Sequence, residues 1–170
     1  MWMLYAILDH VFYKKRQSVK PVNHYPIWFF HMDTGGCGGC GMELQALSCM
    51  PYDLHQEGFG FVTTPRAADI LLVTGPVTWA MLPALKAALE AIPDDVRDPF
   101  GEQVQTEDVP RSTFKGVITI GECAINGGIF SENYAVMGGL EGKVAISIAI
   151  RGCPPTPLNI LNGLRALFEE

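Results

Sequence analysis

The stretch Asp33-Thr-Gly-Gly-Cys37-Gly-Gly-Cys40-Gly-Met-Glu43 carries two cysteines in a Cys-x-x-Cys spacing among five glycines. Two thiolates three residues apart can bind one metal centre, and glycines let backbone N–H groups approach the sulfurs closely. The motif alone leaves three chemistries open, because zinc sites, dithiol redox sites and iron–sulfur sites all use it. The rest of the chain has to distinguish between them.

The composition indicates a globular domain. The chain has 170 residues, 48% of them hydrophobic, which is enough for one domain with a core. Its net charge of −6 and the lack of a long basic stripe argue against nucleic-acid binding, because phosphates would not be neutralised. No uncharged apolar window reaches the roughly 18 residues of a transmembrane helix, and residues 1–16 do not resemble a secretory signal.

The five cysteines are an odd number and lie far apart except for the first pair. This distribution fits metal ligation in a reducing compartment, the cytoplasm, better than a disulfide framework. Cys49 falls within a predicted helix, where we expect a buried, small apolar residue. No two histidines have metal-ligand spacing, so none is expected to be a ligand.

The chain is predicted to divide into an N-terminal segment, residues 1–24, and one domain, residues 25–170. Residues 2–16 have the apolar spacing of a short amphipathic helix. Its Trp2 and Tyr5 suit a membrane interface or a partner subunit, and packing on its own domain is the alternative.

Apolar runs and periodic segments within the domain predict an α/β fold. Residues 68–74 are apolar almost throughout, as expected of a central parallel strand covered on both faces. Residues 93–115 are polar and without periodicity, which predicts an exposed loop. The order of elements predicts a flavodoxin-like open parallel sheet with helices on both faces. The predicted strands are residues 25–32, 59–62, 68–74, 117–120 and 144–150, and the predicted helices are residues 42–49, 77–91 and 157–168.

Three predicted strands are each followed by a cysteine: Cys37, Cys123 and Cys153. Because the carboxyl ends of parallel strands form one edge of a sheet, we expect these loops to gather Cys37, Cys40, Cys123 and Cys153 at one point. Four thiolates can bind a tetrahedral zinc ion or one iron–sulfur cluster. Only one pair is tightly spaced, and the glycine-rich surroundings leave room for a cubane, so the chemistry favours a cluster over zinc.

Four motifs carry a resemblance to a known family. Together they resemble the small subunit of membrane-bound, energy-converting group 4 NiFe hydrogenases, which is similar to the 20 kDa iron–sulfur subunit of respiratory complex I. The resemblance covers about residues 30–168. The motifs are Cys-Gly-Gly-Cys-Gly-Met-Glu at 37–43, Thr-Pro-Arg-x-Ala-Asp-Ile-Leu-Leu-Val-Thr-Gly at 64–75, Gly-Glu-Cys-Ala-x-x-Gly-Gly-Ile-Phe at 121–130 and Gly-Cys-Pro-Pro-Thr-Pro at 152–157.

The resemblance implies one 4Fe–4S cluster on Cys37, Cys40, Cys123 and Cys153, next to the NiFe centre of a large subunit. Electrons would pass between this cluster and a ferredoxin-like iron–sulfur subunit, in a complex with membrane subunits at the cytoplasmic face of the cell membrane. The catalytic centre would belong to the large subunit, so the resemblance implies no catalytic residue in this chain.

Three charged residues near these motifs have two interpretations each. Glu43 is either a proton-handling or interface group beside the cluster, as the resemblance suggests, or a carboxylate favoured by a helix N-terminus. Arg66 is either a cation that raises the potential of the cluster or one partner of a surface salt bridge. For Glu122, a solvated loop position is expected rather than an interface.

Two features depart from the family pattern. Complex I members carry adjacent cysteines where this chain spaces Cys37 and Cys40, which favours the hydrogenase branch. Residues 93–115 are longer than the usual short turn. Some relatives pair with a large subunit that has lost its nickel ligands, so the alternatives are a quinone-reducing, complex I-like complex or a nickel-less one. A zinc-stabilised binding module stays open too, whereas a dithiol oxidoreductase gives Cys123 and Cys153 no purpose.

Overall fold

The computed structural model describes residues 27–92, 116–131 and 133–166, so the predictions for residues 1–24 and 93–115 lie outside the described residues. The described strands are β1 (Ile27–Asp33), β2 (Phe59–Val62), β3 (Ile70–Thr74), β4 (Val77–Thr78), β5 (Gly116–Ile120), β6 (Val136–Gly138) and β7 (Ile148–Ile150). The described α-helices are α1 (Gly39–Leu47), α2 (Leu82–Ala91), α3 (Glu122–Asn126) and α4 (Pro157–Arg165). Short 3₁₀ helices span Leu54–Glu57, Pro65–Ala67 and Gly128–Phe130.

Five strands form one parallel sheet in the spatial order β2-β1-β3-β5-β7. Counted along the chain, the strands of this sheet have the order 2-1-3-4-5, which is the flavodoxin-like arrangement. All five residues of β3 are buried, because this strand lies at the centre and is covered on both faces. The predicted fold class is therefore confirmed.

The core has two layers because successive side chains of a strand point to opposite faces of the sheet. Ile70 and Leu72 of β3 pack on one face with buried leucines and isoleucines of α1 and α4. Leu71 and Val73 pack on the other face with Leu85 of α2. The apolar residues of the helices thus cover the two faces of the sheet. The segments that connect strands and helices lie at the strand ends.

The predicted helix over residues 77–91 is wrong in its first part. Val77 and Thr78 form β4, which pairs antiparallel with β6, and α2 begins only at Leu82. The Thr78 N–H and hydroxyl both donate to the Thr34 carbonyl, which holds this segment extended beside β1. The partners of β4 are distant in sequence, so the local apolar pattern could not reveal them.

Three other boundaries differ from the predictions. Helix α1 begins at Gly39 rather than at residue 42 and ends at Leu47, so Cys49 lies beyond it and is exposed, not buried. The segment after β5, predicted as a loop, forms α3. Strand β7 covers only three residues of the predicted 144–150. Among the described helices, none is long and apolar enough to cross a membrane.

Candidate metal centre

The carboxyl ends of β1, β3, β5 and β7 border one cleft. Its lining includes all four cysteines that the sequence analysis selected, together with the carboxylates of Asp33 and Glu122. Cys37 follows β1, Cys40 lies in the first turn of α1, Cys123 lies in α3 just after β5, and Cys153 follows β7. Three segments of the chain, one of which carries both Cys37 and Cys40, therefore bring four thiols to the same cleft.

The loop that carries Cys37 is fixed to the end of the neighbouring strand. The Thr34 N–H donates to the Thr74 carbonyl at 2.9 Å, and the Thr34 hydroxyl is 3.0 Å from the carbonyl oxygens of Thr74 and Gly75. Thr34 is fully buried, so these bonds are shielded from water. The loop thus leaves β1 along a path set by β3.

The segments that carry Cys123 and Cys153 are joined to each other. The Gly121 N–H donates to the Ile150 carbonyl at 2.8 Å, and the Glu122 N–H donates to the Gly152 carbonyl at 3.0 Å. The Arg151 guanidinium also forms an exposed ion pair with the Glu122 carboxylate, at 3.2 Å. These contacts continue the pairing of β5 and β7 past the sheet and hold the two single cysteines side by side.

Glycines leave space around two of the cysteine sulfurs. A Cβ atom on Gly121 would lie 2.6 Å from the Cys40 sulfur, and one on Gly128 would lie 2.9 Å from the Cys123 sulfur. Both glycines have positive φ values, +91° and +52°, and residues with a side chain rarely adopt this backbone conformation. Any other residue at these positions would press on a thiol that faces the cleft.

The thiols share one electrostatic environment. Burial, together with repulsion of the thiolate by the other three cysteines and Asp33, raises the pKa of Cys40 to about 11. Burial and the neighbouring Cys153 and Cys37 raise the pKa of Cys123, while the Ile129 N–H lowers it by donating to the sulfur. Metal cations would relieve this repulsion and stabilise the thiolate forms.

The donor set fits an iron–sulfur cluster. Zinc draws its ligands to about 2.3 Å from a single point, whereas a 4Fe–4S cluster attaches four thiolates around a cube of iron and sulfide. Here four cysteines surround a glycine-walled cleft. Within the described residues, no three Cys, His, Asp or Glu side chains lie close enough together to coordinate a single ion.

The other candidate residues lie outside this lining. Glu43 is half-buried and sits beyond the first turn of α1, because that helix begins earlier than predicted. Arg66 is exposed on the 3₁₀ helix Pro65–Ala67. Neither residue is among those that line the cleft, and neither is Cys49.

Two residues near the cleft were given no role by the sequence analysis. Asp33 lines the cleft, and an Asp before Thr-Gly-Gly is a signal for a side-chain-capped turn. His31 has its Nε2 atom 2.8 Å from the Thr74 hydroxyl. Burial lowers the pKa of His31, and the nearby Asp33 carboxylate opposes this by raising it. No local sequence pattern could predict this contact of His31, because Thr74 belongs to another strand.

The sequence is similar to those of known proteins. The model of the family described as NADH ubiquinone oxidoreductase, 20 kDa subunit, matches residues 37–167. A probable membrane-bound hydrogenase subunit of Pyrococcus furiosus is 35% identical over 143 residues, which are 84% of this chain and 74% of that protein. One of the subunits of the F420H2 dehydrogenase of Methanosarcina mazei is 32% identical over 164 residues, 95% of this chain and 77% of that protein.

A solved structure is also similar to this chain. It is that of the membrane-bound sulfane sulfur reductase, an archaeal respiratory membrane complex. The TM-score is 0.63 and the sequence identity is 30%. The match covers 85% of this chain and 69% of the matched chain. The similarity therefore includes both the sequence and the arrangement of the sheet.

Proposed function

The chain belongs to the family of the NADH ubiquinone oxidoreductase 20 kDa subunit, and on this premise we propose that it is the electron-transfer small subunit of a membrane-bound, energy-converting NiFe hydrogenase complex. It is an oxidoreductase-family subunit with hydrogenase-related relatives. In the proposal, Cys37, Cys40, Cys123 and Cys153 hold one proximal 4Fe–4S cluster. The partner large subunit holds the catalytic centre.

The observation that carries the proposal is the cleft lined by four cysteines from three segments of the chain. A 4Fe–4S cluster bound there would supply one-electron transfer. Within the chain, Cys40 packs against the core, while Cys37 and Cys153 are exposed at the open side. The thiols thus anchor a redox group on one side and present it to a partner on the other.

Apolar side chains beside the cleft support a protein partner there. Met42 of α1 is 72% exposed, and Ile129, which follows α3, is 83% exposed. Exposed large apolar residues next to a functional cleft favour a protein interface over open solvent. We assign this side to the large subunit, because short electron-transfer distances require the two redox centres to be close.

The remaining parts of the assembly follow from the same proposal. A ferredoxin-like iron–sulfur subunit exchanges electrons with this chain, and membrane subunits anchor the complex at the cytoplasmic face of the cell membrane. The similarity to a probable membrane-bound hydrogenase subunit supports this arrangement. Glu43 and Arg66 are proposed to act near the cluster once the partners are in place.

A second candidate has observations in its favour. The F420H2 dehydrogenase subunit and the sulfane sulfur reductase chain are both similar to this protein. A nickel-less or quinone-linked complex is therefore the alternative assembly for the same chain. The spacing of Cys37 and Cys40 favours the hydrogenase branch over the quinone-linked one.

The test is metal analysis and EPR spectroscopy of the natively purified complex after reduction with dithionite. We expect stoichiometric nickel and the signal of a reduced 4Fe–4S cluster that disappears when Cys123→Ala is introduced. Cys49→Ser is the matched control and should leave the signal unchanged, because Cys49 lies outside the cleft. A cluster without nickel would support the alternative assembly, and zinc without iron in this subunit would refute electron transfer.

A further inference from the structure

We propose that Asp33 is a positioning residue for the redox site: its carboxylate folds the loop that carries Cys37 and holds a negative charge at the cleft that lowers the reduction potential of the bound cluster. This inference rests on the proposed function, because it assumes that the four cysteines hold a 4Fe–4S cluster. It assigns a role to a residue outside the ligand set.

The Asp33 carboxylate is hydrogen-bonded to the backbone of the loop that carries Cys37. The Asp33 Oδ1 atom accepts from the N–H groups of Gly35 and Gly36, each at 2.9 Å. The two bonds close a tight turn immediately before Cys37. A charged acceptor makes such bonds stronger than neutral ones, so the turn depends on the ionised side chain.

This turn packs on the end of β3. A Cβ atom on Gly75 would lie 2.5 Å from the Gly36 nitrogen and 2.8 Å from the Asp33 Oδ1 atom. Gly75 also has a φ value of +76°. The carboxylate and the turn are therefore pressed against the backbone of β3, which fixes the position of Asp33 relative to the cleft.

The Asp33 carboxylate places a negative charge at the cleft. Asp33 lines the cleft with the four cysteines, and its carboxylate is close enough to Cys40 to disfavour that thiolate. Glu122, the other carboxylate of the lining, forms an ion pair with Arg151, whereas in the described part of the chain no lysine or arginine pairs with Asp33. Among the described residues, the exposed Asp33 carboxylate is therefore bonded to the two N–H groups and paired with no cation.

The expected effect of this charge has a definite sign. The bound cluster accepts one electron and no proton from the reductant, so its own charge becomes more negative by one unit. A fixed carboxylate at the cleft repels the added charge and makes reduction less favourable. Removing the charge without removing the hydrogen-bond acceptor should therefore raise the reduction potential.

Two substitutions separate the roles. Asp33→Asn keeps an oxygen that accepts from Gly35 and Gly36 but removes the charge, and Asp33→Ala removes both. Glu90→Gln is the control for a charge change alone, because Glu90 is exposed in the last turn of α2 and does not line the cleft. Iron and sulfide content and a potentiometric EPR titration are measured for each variant in the intact complex.

We expect Asp33→Asn to keep the iron and sulfide content of the original protein. At the midpoint potential of the unsubstituted protein, the ratio of reduced to oxidised cluster in Asp33→Asn should be about tenfold higher. For a one-electron couple, this corresponds to a rise of ~59 mV in the reduction potential. Asp33→Ala should lose several-fold of its iron and sulfide, because the turn before Cys37 is no longer closed. Glu90→Gln should match the original in both measurements.

Each contrary result has a distinct meaning. If the original complex holds no iron in this subunit, the proposed function fails and the role of Asp33 fails with it. If the original is loaded but Asp33→Asn titrates at the same potential, the electrostatic role is refuted. If Asp33→Ala is as fully loaded as the original, the folding role is refuted, and either result leaves the proposed function standing.

Discussion

At the scale of single residues, the shape of the cleft depends on glycines beside the cysteine sulfurs. Gly121 occupies the point at which the end of β5 passes the Cys40 sulfur, in a backbone conformation that other residues rarely adopt. Its N–H is also bonded to the Ile150 carbonyl, so the backbone has little freedom to move aside. The position of the Cys40 sulfur therefore depends on a glycine that is distant in the sequence.

We expect Gly121→Ala to lower the iron and sulfide content of the purified subunit several-fold. The added methyl group would lie 2.6 Å from the Cys40 sulfur and force that ligand or the end of β5 to shift. Iron and sulfide analysis measures the effect directly. An alanine variant with full cluster content would show that the sulfur has more freedom than the structure indicates.

Gly142→Ala is the matched control for this substitution. Gly142 has a similarly positive φ of +74°, but a Cβ atom there would have no neighbour within 4 Å. The strain of the left-handed backbone, about 1–2 kcal/mol, should lower the free energy of unfolding. The cluster content should stay at the original level, which separates backbone strain from contact with a ligand.

The half-buried His31 makes stability depend on pH. Burial lowers its pKa in the folded state, whereas the unfolded chain has the ordinary value of about 6.5. When the pH falls below about 6.5, the unfolded state takes up a proton before the folded state does, so the free energy of unfolding decreases. His31→Gln lacks this titration.

The prediction is that the original protein loses more stability than His31→Gln between pH 7.5 and pH 5.5. Urea unfolding at several pH values in this window measures the difference. Two curves that run parallel throughout would contradict the prediction, because the two chains differ in a single titrating group.

At the scale of secondary-structure elements, an ion pair connects α4 with the 3₁₀ helix Leu54–Glu57. Arg165 donates to both carboxylate oxygens of Glu57, at 2.6 and 3.0 Å, and Glu57 is buried. The pair joins residues 108 positions apart and holds the last helix against the edge of the sheet. Its bidentate geometry fixes the orientation of the helix as well as its position.

We expect Arg165→Leu to lower the free energy of unfolding by about 2–3 kcal/mol, because it leaves a buried carboxylate without its cation. The double substitution Glu57→Leu with Arg165→Leu should recover much of this loss, since no buried charge remains. Arg151→Leu, which breaks the exposed pair with Glu122, should cost less than about 1 kcal/mol. Equal losses for Arg165→Leu and Arg151→Leu in urea unfolding would refute this ranking.

At the scale of the whole molecule, the four cysteines come from segments that span most of the described chain. A group bound to all four would connect the ends of β1, β5 and β7 and the start of α1. Binding energy of this kind adds to the stability of the folded state, because the unfolded chain has no preformed site. A group bound to all four cysteines would therefore also stabilise the fold.

We expect removal of iron by a chelator to lower the thermal unfolding midpoint by roughly 10 °C, the size of effect that a few kcal/mol of lost ligand binding produces. Cys49→Ser should show the same midpoints as the original with and without iron, since Cys49 is exposed and outside the cleft. Identical midpoints for loaded and iron-free protein would show that the cysteines hold their group without stabilising the fold.

The sequence by itself determined the fold class and which four cysteines lie at the cleft. The unbroken apolar run that forms β3 identifies a central strand, because only a strand covered on both faces needs apolar residues at successive positions. Parallel topology then requires the carboxyl ends of the strands to share one edge. Chain order and local pattern therefore sufficed to predict that Cys37, Cys123 and Cys153 meet.

Only the tertiary structure decided the contacts between segments that are distant in the chain. The pairing of β4 with β6, the approach of Gly121 to Cys40 and the ion pair of Glu122 with Arg151 join residues whose separation is set by the order of strands in the sheet. Local propensity contains no information about such partners. The position of Asp33 belongs to the same class, because its carboxylate is fixed against Gly75 of another segment, and its charge acquires a role only at that edge of the sheet.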